Sequence, residues 1–471
     1  MRYISTRGEA AELSFADALL TGLARDGGLY MPKSWPTMSH EALRQLAGEP
    51  YAEVAARVLG AFAGDALASG ELAALTRAAY GRFAHPAITP LQQIDHGLWV
   101  LELFHGPTLA FKDLAMQLIA RLLERLLAAR GEQVTIVAAT SGDTGGAAVE
   151  AFRGSPRLGL VVLFPHGRIS DVQRRMMTTA REGNVHAVAI AGTFDDCQAL
   201  VKAMFNDLPF RDRMRLAVVN SINWGRIVAQ IAYYVVAAAA LGGPNRAIAF
   251  AVPTGNFGDV FAGYCAKVMG VPAGPLVIAS NENDILVRAW NSGAYALMDA
   301  VATTSPSMDI QVASNFERFL FEASGRDAAY VRAKMQALRQ SRAIDLGAAL
   351  PAYRREFMAQ RVDATQVADC IRRVQAESGY LLDPHSACGV VAARRTQAKG
   401  ARAVPHVALA TAHPAKFPET MQAITGARPR LPPRLEALFS APERVTVLPN
   451  DLGAVQRFVE QRACQAPGVG A

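Results

Sequence analysis

The chain has 471 residues, 51% of them hydrophobic and 19% charged, which excludes an intrinsically disordered protein and exceeds what one simple core holds. Its net charge is +7, yet the arginines are scattered, with no block of like charge and few interleaved aromatics. That argues against a nucleic-acid partner and suits a small anionic substrate better. Five cysteines (Cys197, Cys265, Cys370, Cys388, Cys464) show no CxxC spacing, which argues against a disulfide frame or a bound metal and for reduced thiols in the cytoplasm.

Met1 to Arg7 carries no apolar signal core, and the longest apolar run, 227–241, is alanine-rich, interrupted by Gln230 and short for a bilayer, so no membrane association is expected. Residues 1–90 read as a separate, mainly helical domain. A short helix at 14–23, capped at Ser14, is followed by a turn and strand at Asp26-Gly27-Gly28-Leu29-Tyr30-Met31-Pro32. Residues 42–80 are mostly helical, broken at Gly48-Glu49-Pro50 and at Gly64, and His85-Pro86 and Thr89-Pro90 punctuate a linker.

From Leu91 the pattern becomes alternating strand and helix. A strand at 98–104 leads into His105-Gly106-Pro107-Thr108-Leu109-Ala110-Phe111-Lys112-Asp113 and then a helix at 114–127, where Leu114, Leu118, Leu122 and Leu126 fall four apart. Pro107 suits a first helical turn, which puts Lys112 one turn into the helix. A lysine in such an apolar crevice is partly desolvated, its ammonium is disfavoured, and a neutral amine can attack a carbonyl to form a Schiff base. An arbitrary lysine rests its stem on the helix and its ammonium in water. Here the chain has only seven lysines and uses arginine elsewhere, so a lysine in this context marks a need for an amine that can lose its proton.

Strands at 134–139, 158–164, 186–190, 216–219, 247–252 and 276–279 then alternate with helices at 145–152, 171–181, 194–206, 224–241 and 259–269. This implies an α/β fold with parallel sheets covered on both faces, and ligands bound beyond the carboxyl ends of the strands. Three strand-to-helix turns fall on that edge. Thr140-Ser141-Gly142-Asp143-Thr144-Gly145-Gly146 can bind a carboxylate or phosphate, or be an ordinary turn capped by Asp143 or Thr144; the spacing leaves both open. Pro253-Thr254-Gly255-Asn256-Phe257-Gly258-Asp259 can form a nest of N–H groups for a phosphate. It matches neither the Walker pattern nor the three-glycine dinucleotide fingerprint, which disfavours a nucleotide or an NAD-dependent dehydrogenase. Asn220-Ser221-Ile222-Asn223-Trp224-Gly225-Arg226 offers two amides, a hydroxyl and a guanidinium to an anion, against the commoner reading of an Asn223 cap beside a solvated arginine. Residues 316–377 read as a helical insertion. A strand returns at 404–410, followed by Thr411-Ala412-His413-Pro414-Ala415-Lys416-Phe417, where His413 is a general base or a packed residue. After Pro432 the tail is irregular apart from a helix at 452–464.

These segments, with Tyr3-Ile4-Ser5-Thr6-Arg7-Gly8, Ser307-Met308-Asp309-Ile310, Gly379-Tyr380 and Asp383-Pro384-His385, give the chain a nearly end-to-end resemblance to the threonine synthases. These are pyridoxal-phosphate enzymes of fold type II, and the resemblance is to the longer kind of bacteria and fungi. It implies two parallel-sheet subdomains covered by helices: a core at 91–315 with a nested smaller subdomain at 130–225, an N-terminal domain at 1–90, the helical insertion at 316–377, and a return to the core with a tail at 378–471. It implies pyridoxal 5'-phosphate linked through Lys112, its phosphate cradled by Gly255, Asn256, Phe257 and Gly258, and its ring nitrogen facing Thr411. Asp143 stands where many fold type II relatives carry an asparagine against the ring hydroxyl. Ser141, Gly142 and Thr144 would hold the substrate carboxylate, and Asn220, Ser221, Asn223 and Arg226 its phosphate. The implied reaction turns O-phospho-L-homoserine and water into L-threonine and phosphate, in a monomer or homodimer. A related phospho-lyase, releasing a 2-oxoacid, ammonia and phosphate, would share nearly every motif. A catalytically dead paralogue is disfavoured by the intact Lys112 and Thr411.

Overall fold

The computed structural model describes residues 1–400 and 404–462. Two sheets organise them. The larger has six strands in the order Phe357–Arg361, Ala273–Ser280, Ile248–Pro253, His406–Ala410, Leu98–Glu102, Leu91–Asp95, all parallel except the last, which runs back along the edge. The smaller is parallel throughout, in the order Thr446–Pro449, Val185–Ala191, Leu158–Pro165, Val134–Ala139, Leu216–Ala217. Leu158–Pro165, Ile248–Pro253 and His406–Ala410 are buried along their whole length. A strand covered on both faces has no side left for polar residues, so these read as unbroken apolar runs.

Residues 2–32 include a small antiparallel sheet, Leu13–Ser14, Arg2–Ser5 and Tyr30–Pro32. Helix Tyr51–Ala63 packs on helix Trp224–Ala240, and helix Ser69–Tyr80 on helix Lys112–Arg130. The joint is Trp224, fully buried, whose ring centroid lies 5.6 Å from Phe62 and 6.1 Å from both Tyr3 and Trp35. Burying a large apolar side chain of this kind contributes about 1.5–3 kcal/mol. A polar tie runs beside it. Arg7 forks onto Glu317 at 3.0 and 2.9 Å, and the Thr6 hydroxyl donates to the same carboxylate at 2.6 Å.

The strands and helices expected between 134 and 279 stand within a few residues of their expected ends, and Phe194–Asn206 matches outright. Three expectations need correction. Pro107 does not open the helix: the Thr108 N–H and hydroxyl both donate to the Asp113 carboxylate at 2.7 Å, and Leu109 has φ 60°, so residues 106–110 form a loop. Lys112 is therefore the first helical residue, not one turn in. Residues 316–377 are not purely helical, since Phe357–Arg361 is the outer strand of the large sheet and Ala343–Asp345 pairs with Ala294–Ala296. Met, Gln and Arg on a half-exposed edge carry no strand-like apolar run, which hid it. The tail is not irregular: Thr446–Pro449 adds a parallel strand to the small sheet, and Val455 and Val459 of helix Leu452–Arg462 enter that sheet's core. The last expected residues of that helix, with Cys464, lie outside the described residues.

Candidate active site

The turns that follow the carboxyl ends of the two sheets converge, and Lys112 stands among them. The N–H of Phe111 donates to the Thr411 carbonyl at 2.9 Å, and that of His413 to the Leu109 carbonyl at 3.0 Å, so the loop before Lys112 and the turn after His406–Ala410 run as one stitched unit. Gly106 is required there, because a Cβ would strike the Asp113 side chain.

The Lys112 amine is nine-tenths buried. Its Nζ lies 3.3 Å from Asp143 Oδ2 and 3.4 Å from Ser307 Oγ, and Ser307 Oγ lies 3.2 Å from the same carboxylate oxygen. Asp143 opens helix Asp143–Phe152 after the small sheet, so the carboxylate crosses from one sheet to meet the lysine of the other. It has two further partners on Oδ1: Lys416 Nζ at 2.6 Å and Gln173 Nε2 at 2.9 Å. Lys416 is 1% exposed and also donates to the Thr108 carbonyl at 2.9 Å. Burial pushes the Lys112 ammonium below its ordinary value, Asp143 works against that, and Lys416 and Arg226 reinforce it. Burial alone would raise the Asp143 carboxyl, but Lys416 and then Lys112 outweigh it and hold it well below the carboxylate range.

Beside Lys112 lies a second feature. A cavity of about 60 Å³ is lined by Phe111, Ser221, Arg226, Gln230 and the turn Pro253–Asp259. Phe257 has φ 64°, and helix Gly258–Val268 starts from it with its first N–H groups lacking intrahelical acceptors. Its ring packs on Phe316 and Phe357, so only its backbone is open to a ligand. At Gly255 a Cβ would sit 2.7 Å from the Ser307 carbonyl. Arg226 is 3% exposed. Among the described residues its side chain makes one hydrogen bond, a long one from Nη1 to the Val219 carbonyl, 3.4 Å, and its Nε has no partner. Burial pushes its pKa down to about 10. A buried guanidinium left short of acceptors beside a helix N-terminus is a site for an anion. The two turns are clamped together by Asn315, whose amide donates to the carbonyls of Ser221 and Asn256 at 3.0 and 3.2 Å. Arg318, fully buried, fixes Asn315 and donates to the Ile222 and Tyr30 carbonyls at 2.7 and 3.3 Å.

Not every expected site residue is free to act. Asn223 is fully buried; its amide donates to the Leu19 and Val218 carbonyls at 2.8 and 2.7 Å and its oxygen accepts from Gly225 N. It caps the helix and cannot reach a ligand. The Gly142 N–H donates to Thr140 Oγ1 at 2.9 Å, so it is not available to a carboxylate either. Ser141 and Thr144 are half-buried beside it. Asn220 accepts from Ile222 N at 3.1 Å, which orders the turn. Thr411 is held through its backbone: its N–H donates to Ser386 Oγ at 3.2 Å, and its hydroxyl makes no hydrogen bond among the described residues. His413 faces a different, larger cavity of about 560 Å³, with Glu102, His105 and Arg434. Burial lowers its pKa to about 4 and its Nδ1 accepts from Ala415 N, the pattern of a packed residue rather than a base for Lys112. Among the described residues no group of three or more His, Cys, Asp or Glu could hold a metal, and no helix is long and apolar enough to cross a membrane.

Four contributors were given no role of their own from the sequence. Lys416 sits in the last motif, and the scarcity of lysine that drew attention to Lys112 applied equally to it. Ser307 is held by its N–H to His385 Nε2 at 3.3 Å, while His385 Nδ1 lies 2.9 Å from Asp383. Arg318 lies in a stretch that read only as helix, and Asn315 stands just before it. The set as a whole, a buried amine next to a glycine-rich anion cradle, fits a small carbonyl compound that carries a phosphate.

Comparison with known proteins gives the same class. Residues 2–80 match the family model "Threonine synthase N terminus", residues 83–409 "Pyridoxal-phosphate dependent enzyme", and residues 386–459 "Threonine synthase, C-terminal". The chain is 49% identical to a threonine synthase of Pseudomonas aeruginosa over 98% of both chains. It superposes on the PLP-bound threonine synthase of Brucella melitensis with a TM-score of 0.94 at 55% identity, covering 98% of this chain and 99% of that one. On the yeast enzyme the TM-score is 0.91 at 35% identity, with 98% of each chain covered. The chain belongs to the threonine synthase family, pyridoxal-phosphate-dependent enzymes of fold type II.

Proposed function

We propose that this protein converts O-phospho-L-homoserine and water into L-threonine and phosphate, with pyridoxal 5'-phosphate linked to Lys112 as a Schiff base. The observation that carries the reading is the pairing of two neighbouring features: Lys112, buried so that its ammonium is disfavoured, and, beginning at the adjacent Phe111, a small cavity lined by Arg226 and the Gly255–Gly258 turn.

When bound, pyridoxal phosphate supplies an aldehyde for the amine and a conjugated ring that stabilises negative charge on the substrate's Cα. Gly255, Asn256, Phe257 and Gly258 hold its phosphate with backbone N–H groups at the start of helix Gly258–Val268. The Thr411 hydroxyl would meet the ring nitrogen, and Asp143 the ring's polar edge. Ser141 and Thr144 orient the substrate carboxylate. Lys112 would take the proton from Cα, move protons at Cβ and Cγ, and return one to Cα at the end; a buried amine suits this because its proton affinity lies nearer working pH than that of an exposed lysine. Arg226, with Ser221 and Asn220, holds the substrate phosphate and offsets its charge as the Cγ–O bond breaks. Water then adds its oxygen at Cβ. Lys112 and Asp143 are both buried, which limits their contact with bulk water.

We propose that the enzyme works as a monomer or a homodimer. We assign the enzyme to the cytoplasm; Cys197, Cys265, Cys370 and Cys388 are free and buried, which supports a reducing compartment. Reductive trapping with borohydride followed by peptide mass analysis tests the assignment. The cofactor should be found on Lys112, and Lys112→Ala should lose the linked-cofactor absorbance; trapping on another lysine would overturn it.

A further inference from the structure

Two lysines share one carboxylate in this site. Asp143 Oδ1 lies 2.6 Å from Lys416, and Asp143 Oδ2 lies 3.3 Å from Lys112. The division is unequal in every respect. Lys416 is the more deeply buried, has the shorter contact, and donates a second bond to the Thr108 carbonyl. Among the described residues Lys112 has two long polar contacts, to Asp143 and Ser307, and its amine lies 4.9 Å from the Phe111 ring centroid. One carboxylate can compensate one buried ammonium, and a second ammonium in the same enclosure stands uncompensated. The other charged groups facing Lys112 are Arg226, which adds a further positive charge, and Asp259, at the start of helix Gly258–Val268; Asp113 follows Lys112 in sequence and faces Thr108 instead.

We propose that Lys416 is a positioning residue that makes Lys112 a nucleophile: by taking the charge of Asp143 for itself, it leaves Lys112 as the amine that sheds its proton. The inference rests on Lys112 being the residue that links the cofactor. It gives Asp143 a definite task as well. The Asp143–Lys416 pair presents a neutral, hydrogen-bonding surface to Lys112 rather than a bare negative charge that would hold the ammonium. The lowered proton affinity of Lys112, to which Lys416 adds, agrees with this.

The test follows the reaction of the apoenzyme with pyridoxal phosphate across pH, read by the absorbance of the linked cofactor and by borohydride trapping. In Lys416→Met, Asp143 is left to Lys112 alone. The midpoint for attachment should rise by about one pH unit, which slows attachment near neutral pH about tenfold. Lys416→Arg keeps a fixed cation and should retain the parental midpoint. The double variant Lys416→Met with Asp143→Asn lacks both charges, and burial alone should return the midpoint toward the parental value. A merely structural role for Lys416 predicts neither the rise nor its reversal. An unchanged or lowered midpoint in Lys416→Met overturns the proposal, as does a raised midpoint in the double variant; should Lys416→Met fail to fold, Lys416→Gln, which keeps a hydrogen-bond donor but no charge, carries the same predicted rise and the same refutation. If Lys112→Ala still links the cofactor, the reading of the site itself falls; if it does not, and Lys416→Met behaves as the parent, only this inference falls.

Discussion

Arg226→Met is the most revealing single change, because stability and catalysis should move in different directions. The guanidinium is 3% exposed, has one long hydrogen bond, and leaves Nε unpartnered. Burial lowers its pKa to about 10, with Tyr233 and Asp113 opposing. A cation whose folded value lies below its unfolded value destabilises the fold at every pH below the folded value. At neutral pH that penalty is in full force, on the order of 3 kcal/mol. Methionine fills much of the same volume without the charge, so the apoprotein should melt no lower than the parent, and higher by up to a few degrees. In catalysis the variant loses a charge-assisted contact to phosphate worth about 1.5–3 kcal/mol, a KM increase of roughly tenfold to a hundredfold. Differential scanning calorimetry of the apoprotein reads the first effect, and phosphate release against substrate concentration the second. The cofactor absorbance should persist. An unchanged KM with lost cofactor binding would refute the reasoning, since Arg226 would then serve the cofactor's phosphate instead.

Gly255→Ala places a methyl 2.7 Å from the Ser307 carbonyl, so the cradle must shift; affinity for pyridoxal phosphate should drop by roughly tenfold or more in equilibrium dialysis, and parental affinity would show the turn is not the cradle. Arg318→Met frees Asn315 and leaves the Ile222 and Tyr30 carbonyls without their donor, so cofactor titration should show weakened binding with Lys112 intact; unaltered binding would mean the two turns hold their spacing unaided. Asp259 is fully enclosed, and burial raises its pKa to about 6 against the donated hydroxyls of Tyr233 and Tyr234. A raised carboxyl contributes stability present below about pH 4 and lost as pH climbs through about 6. Asp259→Asn removes that titration, so urea unfolding across this window should fall less steeply than in the parent, by up to about 3 kcal/mol in total; identical slopes would contradict the burial argument.

The sequence was most legible where burial is two-sided. Apolar runs such as Leu158–Pro165 and Ile248–Pro253 declared the strands, and the glycines after them declared the turns. It was least legible at edges. Phe357–Arg361 and Thr446–Pro449 are outer strands with exposed residues, and their membership of a sheet is fixed by partners far away in the chain. The site divided the same way. Lys112 and the Gly255–Gly258 turn announce themselves by local context. Lys416 acts through a carboxylate more than 270 positions earlier, and no local pattern reveals which lysine that carboxylate will meet. Asn223 misled for a related reason: an amide in an anion-binding turn looks like a ligand until the Leu19 carbonyl of the N-terminal unit takes it.

The most direct measurement incubates the purified protein with pyridoxal phosphate and O-phospho-L-homoserine, and follows phosphate release and the organic product together. The account predicts phosphate with an equal amount of L-threonine. Phosphate accompanied by 2-oxobutyrate and ammonia would make the enzyme a phospho-lyase, and no phosphate from protein that still shows the linked cofactor would contradict the substrate.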